Sequence, residues 1–404
     1  MPLAAPSEDG NTPQSLSRPG SKHALGPRTS DTGLLFRGRP VENRKIAVIG
    51  LGLIGGSLGL ALAGKGYEIT GIDRNRETLA RGLKLGAASR VTENLADGVK
   101  GAAVVFLAVP VGAASEVLKT IAPHLSPGVI VSDVGSVKTS QLRLAQDLLP
   151  AGVDFVGGHP MAGTEQAGID GADPLMFVNA VYVLTPAANC SPGAVEEMAA
   201  LARQAGAHPL IMDPVKHDRA VATLSHLPHL LAVALTKTAG KLEEEEPGSL
   251  ALAAGSFRDG TRVAASSPVM WQDICLANRE MILSALKLFQ LELAGLEEAV
   301  RDGDGVNIAG AFRQAGEIRE SYKQQAKTRV EELVEVVISI PDEPGYLGTI
   351  TRALGEANIN IVNIEIIRAR EGAAGSVVLG FQGEAPAVRA LDLIRGLGIQ
   401  AHCG

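Results

Sequence analysis

The chain has 404 residues, of which 46% are hydrophobic, 20% charged and only 3% aromatic, and its net charge is −7 at pH 7. That length exceeds one ordinary core and implies two or three domains, with interiors built from Ala, Val, Leu and Ile. The acidic balance excludes a general attraction to DNA, RNA or anionic membrane, so a small anionic substrate needs cations within its own site.

Residues 1–43 are rich in Pro, Gly, Ser, Asn, Thr and charge, have no apolar period, and read as a disordered tail. Order begins at Lys45–Ile49, a buried-strand run, followed by a helix read over Leu58–Ala63 and ended by Gly64 and Gly66. Further apolar runs follow at 67–73, 104–110, 129–133, 154–158, 180–186 and 209–212, most of them separated by helical patterns. Strand alternating with helix indicates an α/β domain over 44–213, a parallel sheet covered on both faces. From Pro214 to 328 the pattern is helical with almost no strand signal. Its broad apolar faces need a partner, which a helical domain that also dimerises supplies. From 333 to 404 the order strand, helix, strand, strand, helix, strand describes a small split α+β sandwich, with a hairpin turn at Glu371–Gly375.

Five motifs carry chemistry. Gly50-Leu51-Gly52-Leu53-Ile54-Gly55 is a G-x-G-x-x-G that directly follows a strand and opens a helix, the context of a Rossmann-type dinucleotide site. Asp73, ending the next strand, suits ribose hydroxyls and repels a 2′-phosphate, which favours NAD over NADP; Arg74 and Arg76 blur that choice. Leu53 and Ile54 within the fingerprint, Arg74, and Val109 and Pro110 at the end of the 104–110 run complete the candidate cofactor contacts. "SDVGSVK" (132–138) puts Ser136 and Lys138 at the carboxyl end of the sheet as candidate polar contacts, or as a glycine turn with a surface lysine. "FVGGHPMAGTEQAG" (155–168) puts His159 on the same side, as a proton acceptor, a structural residue or a metal ligand; no companion ligands lie at short spacing. "VKHDRAVATLSHLPHLLAVAL" (215–235) crowds His217, Asp218, His226 and His229 into one helical region. Asp218, His226 and His229 fall near one helix face, which allows either locally paired histidines or a two-histidine metal site. "GSFRDGTRVAASSPVMW" (255–271) holds Arg258 and Arg262 one turn apart and the only tryptophan, Trp271. Arginine is a natural clamp for a carboxylate, though an exposed helix arginine has the same appearance.

Cys190, Cys275 and Cys403 form no C-x-x-C, no apolar run reaches membrane-span length, and the first forty-odd residues lack a secretory signal's apolar core, so a cytoplasmic location is expected.

Taken in order, the glycine fingerprint, "GSVK", "HPMAGTE", "HD…SHLPH", "FRDGTR" and "SPVMW" resemble the prephenate dehydrogenase family over residues 45–325. The stretch after Leu333, with "PDEPGYLGTI", resembles an ACT domain, a ferredoxin-like amino-acid-binding module. Ser256 stands where relatives commonly have a second glycine. The resemblance implies oxidative decarboxylation of prephenate by NAD to 4-hydroxyphenylpyruvate, carbon dioxide and NADH. In that scheme His159 must be neutral to accept a hydrogen bond from the ring hydroxyl, so the rate climbs through its pKa, about 6.5 if unperturbed. Ser136 lies near the same hydroxyl, Arg262 binds a carboxylate, His229 and Trp271 meet the substrate, and Glu165 and Asp218 form an ionic pair shaping access to the pocket. No metal is implied. The ACT resemblance further implies that Asp342, Pro344, Gly345, Tyr346 and Leu347 cradle an amino-acid effector, with tyrosine, the pathway's end product, expected, and that Asn358, Asn360 and Ile361 face it across a homodimer. Three alternatives stay open: arogenate as substrate, an ACT unit that only dimerises, and a non-catalytic sensor of NAD and amino acid.

Overall fold

The computed structural model describes residues 44–403 apart from Glu165, 330–332, Asp342 and 368–374, and only the backbone at 322–329, 367 and 375. The tail read over 1–43 and most of the hairpin turn Glu371–Gly375 lie outside the described residues.

Among the described residues the first sheet holds β1 (Lys45–Ile49), β2 (Glu68–Ile72), β3 (Arg90–Thr92), β4 (Val104–Leu107), β5 (Ile130–Asp133), β6 (Asp154–Pro160), β7 (Val181–Pro186) and β8 (His208–Ile211), in the order β3-β2-β1-β4-β5-β6-β7-β8. On one face pack α1 (Leu53–Ala63), α2 (Arg76–Leu85) and α6 (Pro192–Gln204), burying Leu58, Leu62, Leu79 and Met198. On the other pack α3 (Leu95–Val99), α4 (Ala114–Ile121) and α5 (Thr139–Leu148), burying Leu118, Ile121 and Leu142. Strands covered on both faces are apolar throughout, as in β4, whose four residues are all buried.

The all-parallel expectation is corrected at one edge. β7 pairs antiparallel to β6, and β8 is parallel to β7, so the last two strands run against the rest. The physical reason is the connection: among the described residues of 161–180 there is no α-helical crossover, only a short 3₁₀ turn at Ile169–Gly171, so the chain folds back instead of crossing over. The β5–β6 ladder accordingly ends at the pair Val131–Phe155, and β6 continues beside β7, with His159 opposite Val183.

Asp213 caps α7 (Pro214–Val221) by accepting from the Lys216 N–H, with Pro214 at the first helical position. A π-helical turn, Ala222–His226, joins α7 to α8 (Leu227–Glu245). After α8 come α9 (Gly255–Thr261), α10 (Pro268–Ala277), α11 (Arg279–Arg301) and α12 (Gly305–Arg329). The apolar stretch from Met270 to Val300 is two helices, broken at Asn278, whose buried side chain donates to the Asp218 carbonyl oxygen at 2.9 Å. Leu288, Leu291, Val306, Phe312 and Ile318 stay exposed on α11 and α12 in a single chain. No described helix is long and apolar enough to cross a membrane.

The C-terminal unit has β9 (Leu333–Ile340), α13 (Tyr346–Glu356), β10 (Asn363–Ile367), β11 (Gly375–Gln382), α14 (Glu384–Gly396) and β12 (Ala401–Cys403). Its antiparallel sheet runs β10-β11-β9-β12, and Val336, Ile338, Ile350, Val377, Phe381 and Ile394 form its core.

Candidate active site

The first half of the site is made of backbone. Gly50 has φ +91°, and a Cβ there would lie 2.3 Å from the Ala108 carbonyl oxygen. A Cβ on Gly55 would lie 1.9 Å from the Gly50 carbonyl oxygen, whereas one on Gly52 would meet nothing within 4 Å. The loop is thus closed against its own protein and open at Gly52. Helix α1 starts at Leu53, five residues before the Leu58 read from sequence, so Leu53 and Ile54 form its first turn. That turn has no side-chain cap and no acidic residue, leaving its N–H groups for an anion. These features fit a dinucleotide pyrophosphate.

Asp73 follows β2; its Oδ2 accepts from the Leu51 N–H and its Oδ1 from the Asn75 N–H, both at 2.9 Å, so the carboxylate is aimed by the glycine loop itself. Of the two neighbouring arginines, Arg76 donates to Glu93 at 2.7 Å, while Arg74 is exposed. Val109 and Pro110 follow β4, and the Gly112 N–H just beyond them donates to Asp273 Oδ2 at 3.2 Å. That bond ties the loop to α10, which carries Trp271.

The second half is made of side chains. Lys138 is fully buried; its ammonium pairs with Asp133 and donates to the Gly158 carbonyl oxygen at 2.6 Å. Asp133 also accepts from the Gly158 N–H at 3.2 Å, so this pair holds β6 to β5 beyond the point where their ladder ends. Lys138 is therefore neither a surface lysine nor a free cation of the site. Burial pushes its pKa down, opposed by Asp133.

His159, next along β6, meets His217 through Nδ1 and Nε2 at 2.9 Å, the rings nearly perpendicular. His217 Nδ1 is in turn 2.8 Å from Asp218 Oδ1. Asp218 accepts from the Lys138 and Thr139 N–H groups, both at 2.8 Å. Burial, then the charges of Lys138, His217 and His226, hold the His159 pKa well below 6.5, with Asp218 opposing. The value of about 6.5 holds for an unperturbed imidazole; burial and these neighbours shift His159 below it. For Asp218, burial raises the pKa, but the hydrogen bonds from His217 and the Thr139 and Lys138 groups outweigh it, and the carboxyl stays below its usual value.

One member of the access pair is described. Glu165 lies outside the described residues, and Asp218 is 2% exposed with its carboxylate taken up by three donors. Two carboxylates repel in any case. Nor do Asp218, His226 and His229 share a face of one regular helix, because the π-turn intervenes. His226 is buried, its Nδ1 lies 3.2 Å from Asn278 Nδ2, and burial lowers its pKa to about 4. His229 Nδ1 donates to the Ser225 carbonyl at 2.9 Å, and its ring stacks on Trp271 with centroids 4.0 Å apart.

Ser136 is half-buried two residues before Lys138. Arg262 is exposed and begins the 3₁₀ turn Arg262–Ala265, which packs beside α8, the helix of His229. In the C-terminal unit Pro344, Gly345, Tyr346 and Leu347 sit at the start of α13, and Asn358, Asn360 and Ile361 just past its end; Asp342 lies outside the described residues. Eleven helical residues span roughly 16 Å, so one chain does not bring these two groups together. Sequence reasoning missed the part of Asn278, which carried no motif, passed over Asp133 within "SDVGSVK", and left His217 as one histidine among several. The adjacency of His217 and Asp218 was the available signal.

An open pyrophosphate cradle after β1 and an imidazole near the end of β6, on the same carboxyl edge of the sheet, define a dehydrogenase of the nicotinamide-nucleotide class. Family models agree: "Prephenate dehydrogenase, nucleotide-binding domain" matches residues 58–211, "Prephenate dehydrogenase, dimerization domain" 213–314, and "ACT domain" 334–390. Prephenate dehydrogenase of Bacillus subtilis is 36% identical over 352 residues, 86% of this chain and 95% of its own length. Prephenate dehydrogenase of A. aeolicus, solved with hydroxyphenyl propionate and NAD+, superposes with TM-score 0.64 at 28% identity, covering 70% of this chain and 100% of that one. Synechocystis arogenate dehydrogenase superposes with TM-score 0.62 at 32% identity, covering 69% and 99%. The chain belongs to the prephenate dehydrogenase family, and it is an NAD-dependent oxidoreductase with a C-terminal ACT domain.

Proposed function

We propose that this enzyme oxidatively decarboxylates prephenate to 4-hydroxyphenylpyruvate. The observation that carries the reading is His159, a half-buried imidazole at the carboxyl end of β6 whose pKa is shifted below the ordinary value. When bound, NAD accepts the hydride from the ring carbon that bears the hydroxyl. Gly50, Gly52, Leu53, Ile54 and Gly55 hold the pyrophosphate, Asp73 the ribose, and Val109 and Pro110 flank the dinucleotide. His159 accepts the hydrogen bond of the hydroxyl and draws off its proton as that carbon loses hydride, with Ser136 steadying the same oxygen. Arg262 anchors a carboxylate, and His229 and Trp271 bound the substrate side chain. Departure of the ring carboxylate as carbon dioxide leaves its electron pair to complete the aromatic ring.

The exposed apolar faces of α11 and α12 support a homodimer. In it, the start of α13 in one chain and Asn358–Ile361 of the other enclose tyrosine as a feedback inhibitor. The test is NADH absorbance with prephenate and NAD; no signal at high protein concentration favours a non-catalytic sensor. Arogenate is the second reading, supported by the likeness to the Synechocystis enzyme. The ratio of kcat/KM for the two substrates decides between them. Titration with tyrosine, before and after removal of 333–404, tests the regulation: inhibition that survives the deletion removes the ACT unit from it.

A further inference from the structure

We propose that His217 is a positioning and relay residue: it holds His159 with Nε2 bare toward the substrate, and it receives the positive charge when the hydroxyl proton moves. This rests on the assignment of His159 as the acceptor. The argument is one of donors and acceptors. Asp218 is ionised and already accepts two backbone N–H groups, so it has no proton to offer. The 2.8 Å contact to His217 Nδ1 must therefore be His217 donating. A neutral His217 then has a bare Nε2, and the 2.9 Å contact to His159 Nδ1 must be His159 donating. That leaves His159 with a bare Nε2, the form able to accept from a hydroxyl. Nothing local to β6 selects this tautomer; the choice is made two residues away through the chain His159–His217–Asp218.

The same chain decides where the charge rests. In the transfer, the substrate O–H bond breaks and an Nε2–H bond forms on His159. The Nδ1–H bond of His159 breaks and an Nε2–H bond forms on His217. His159 ends neutral and His217 ends as an imidazolium. A charge on half-buried His159 would lie in the field of Lys138 and one ring away from Asp218, whereas a charge on His217, although buried, sits directly against the Asp218 carboxylate. The overall reaction releases no net proton, because the hydroxyl hydrogen reappears on the phenol. Running the two transfers backward returns it once the ring is aromatic, so the relay is a reversible store.

Two measurements test this. In ligand-free wild-type protein labelled with ¹⁵N-histidine, His159 should show a protonated Nδ1 and an unprotonated Nε2; the opposite tautomer overturns the proposal. In His217→Gln the amide oxygen still accepts from His159 Nδ1, but it cannot take a proton. Single-turnover hydride transfer should slow about 10- to 100-fold while KM for prephenate and for NAD stays within about twofold. A proton inventory in H2O/D2O mixtures should be curved for wild type and linear for His217→Gln. An unchanged rate, or linear inventories in both proteins, overturns the relay. If His217→Gln fails to fold, the tautomer measurement decides. His159→Asn distinguishes the two levels: full turnover in that variant sinks the acceptor assignment itself, whereas its loss beside an unaffected His217→Gln sinks only the relay.

Discussion

The dinucleotide cradle, after β1 and β2, and the histidine cluster, beside β5 and β6, lie along the same carboxyl edge of the sheet, yet they are built by opposite means. The cradle is local: Asp73 bonds the Leu51 N–H across 22 residues of chain, within one strand–helix–strand unit. The cluster is long-range: His159 and His217 are 58 residues apart, Lys138 and Asp218 are 80, and Asn278 and Asp218 are 60. Backbone conformation sets the first, and side-chain pairing across three segments sets the second. A cradle of N–H groups tolerates any side chain that leaves the backbone alone. A buried polar network tolerates almost none, since each lost partner leaves another group unpaired.

The comparison can be broken from either side. His159→Asn should cost the most, about 10²- to 10⁴-fold in kcat with KM little changed, read by stopped-flow NADH formation. On the backbone side, Gly50→Ala places a methyl against the Ala108 carbonyl oxygen at a left-handed φ. Loop displacement on the order of an ångström should lower kcat/KM for NAD by about 10²-fold, with a lower Tm by calorimetry. If Gly50→Ala binds NAD normally, the cradle is not set by backbone. Arg262→Ala should act mainly on KM for prephenate, by tens of fold, since a hydrogen bond to a charged group contributes about 1.5–3 kcal/mol. Asp73→Asn should be milder: it removes the charge that repels a 2′-phosphate but keeps an acceptor, so the NADP-to-NAD ratio of kcat/KM should rise on the order of tenfold.

The smallest effect is one of pH. The groups facing His159 are Lys138 before α5, His217 and Asp218 on α7, and His226 in the π-turn; burial first, then Lys138 and the two neighbouring histidines, hold its pKa well below 6.5, with Asp218 opposing. The rate should therefore be flat from about pH 6.5 upward, with its acid limb lower; a limb centred near 6.5 would mean an ordinary solvated imidazole. Stability follows the same sign. His226 falls from 6.5 to about 4 through burial, so the unfolded chain binds more protons than the folded one between those values. Tm should drop as pH falls through that window and be indifferent to this residue above it.

Much of the cradle was legible because its signals are short-range: a glycine fingerprint after a buried strand and an aspartate after the next. What escaped notice has a common cause. The reversal at β7 depends on whether a connection crosses over, and an apolar run does not state its direction. The break at Asn278 sits inside a continuous apolar pattern, because its side chain is recruited by Asp218 from a distant helix. Lys138 could be read either as a site contact or as a surface lysine because its pairing with Asp133, only five residues away in the same motif, depends on burial that the motif does not state.

By itself, then, the order of amino acids determined which segments become strand or helix, where a pyrophosphate can approach, and which residue types are present for proton transfer and for carboxylates. Only the folded arrangement decided which histidine touches which, that Asp218 faces inward, and that His159 is neutral. Local conformation follows from sterics within a few residues. The charge and tautomer of a buried ring follow from desolvation and from donors that arrive from remote parts of the chain.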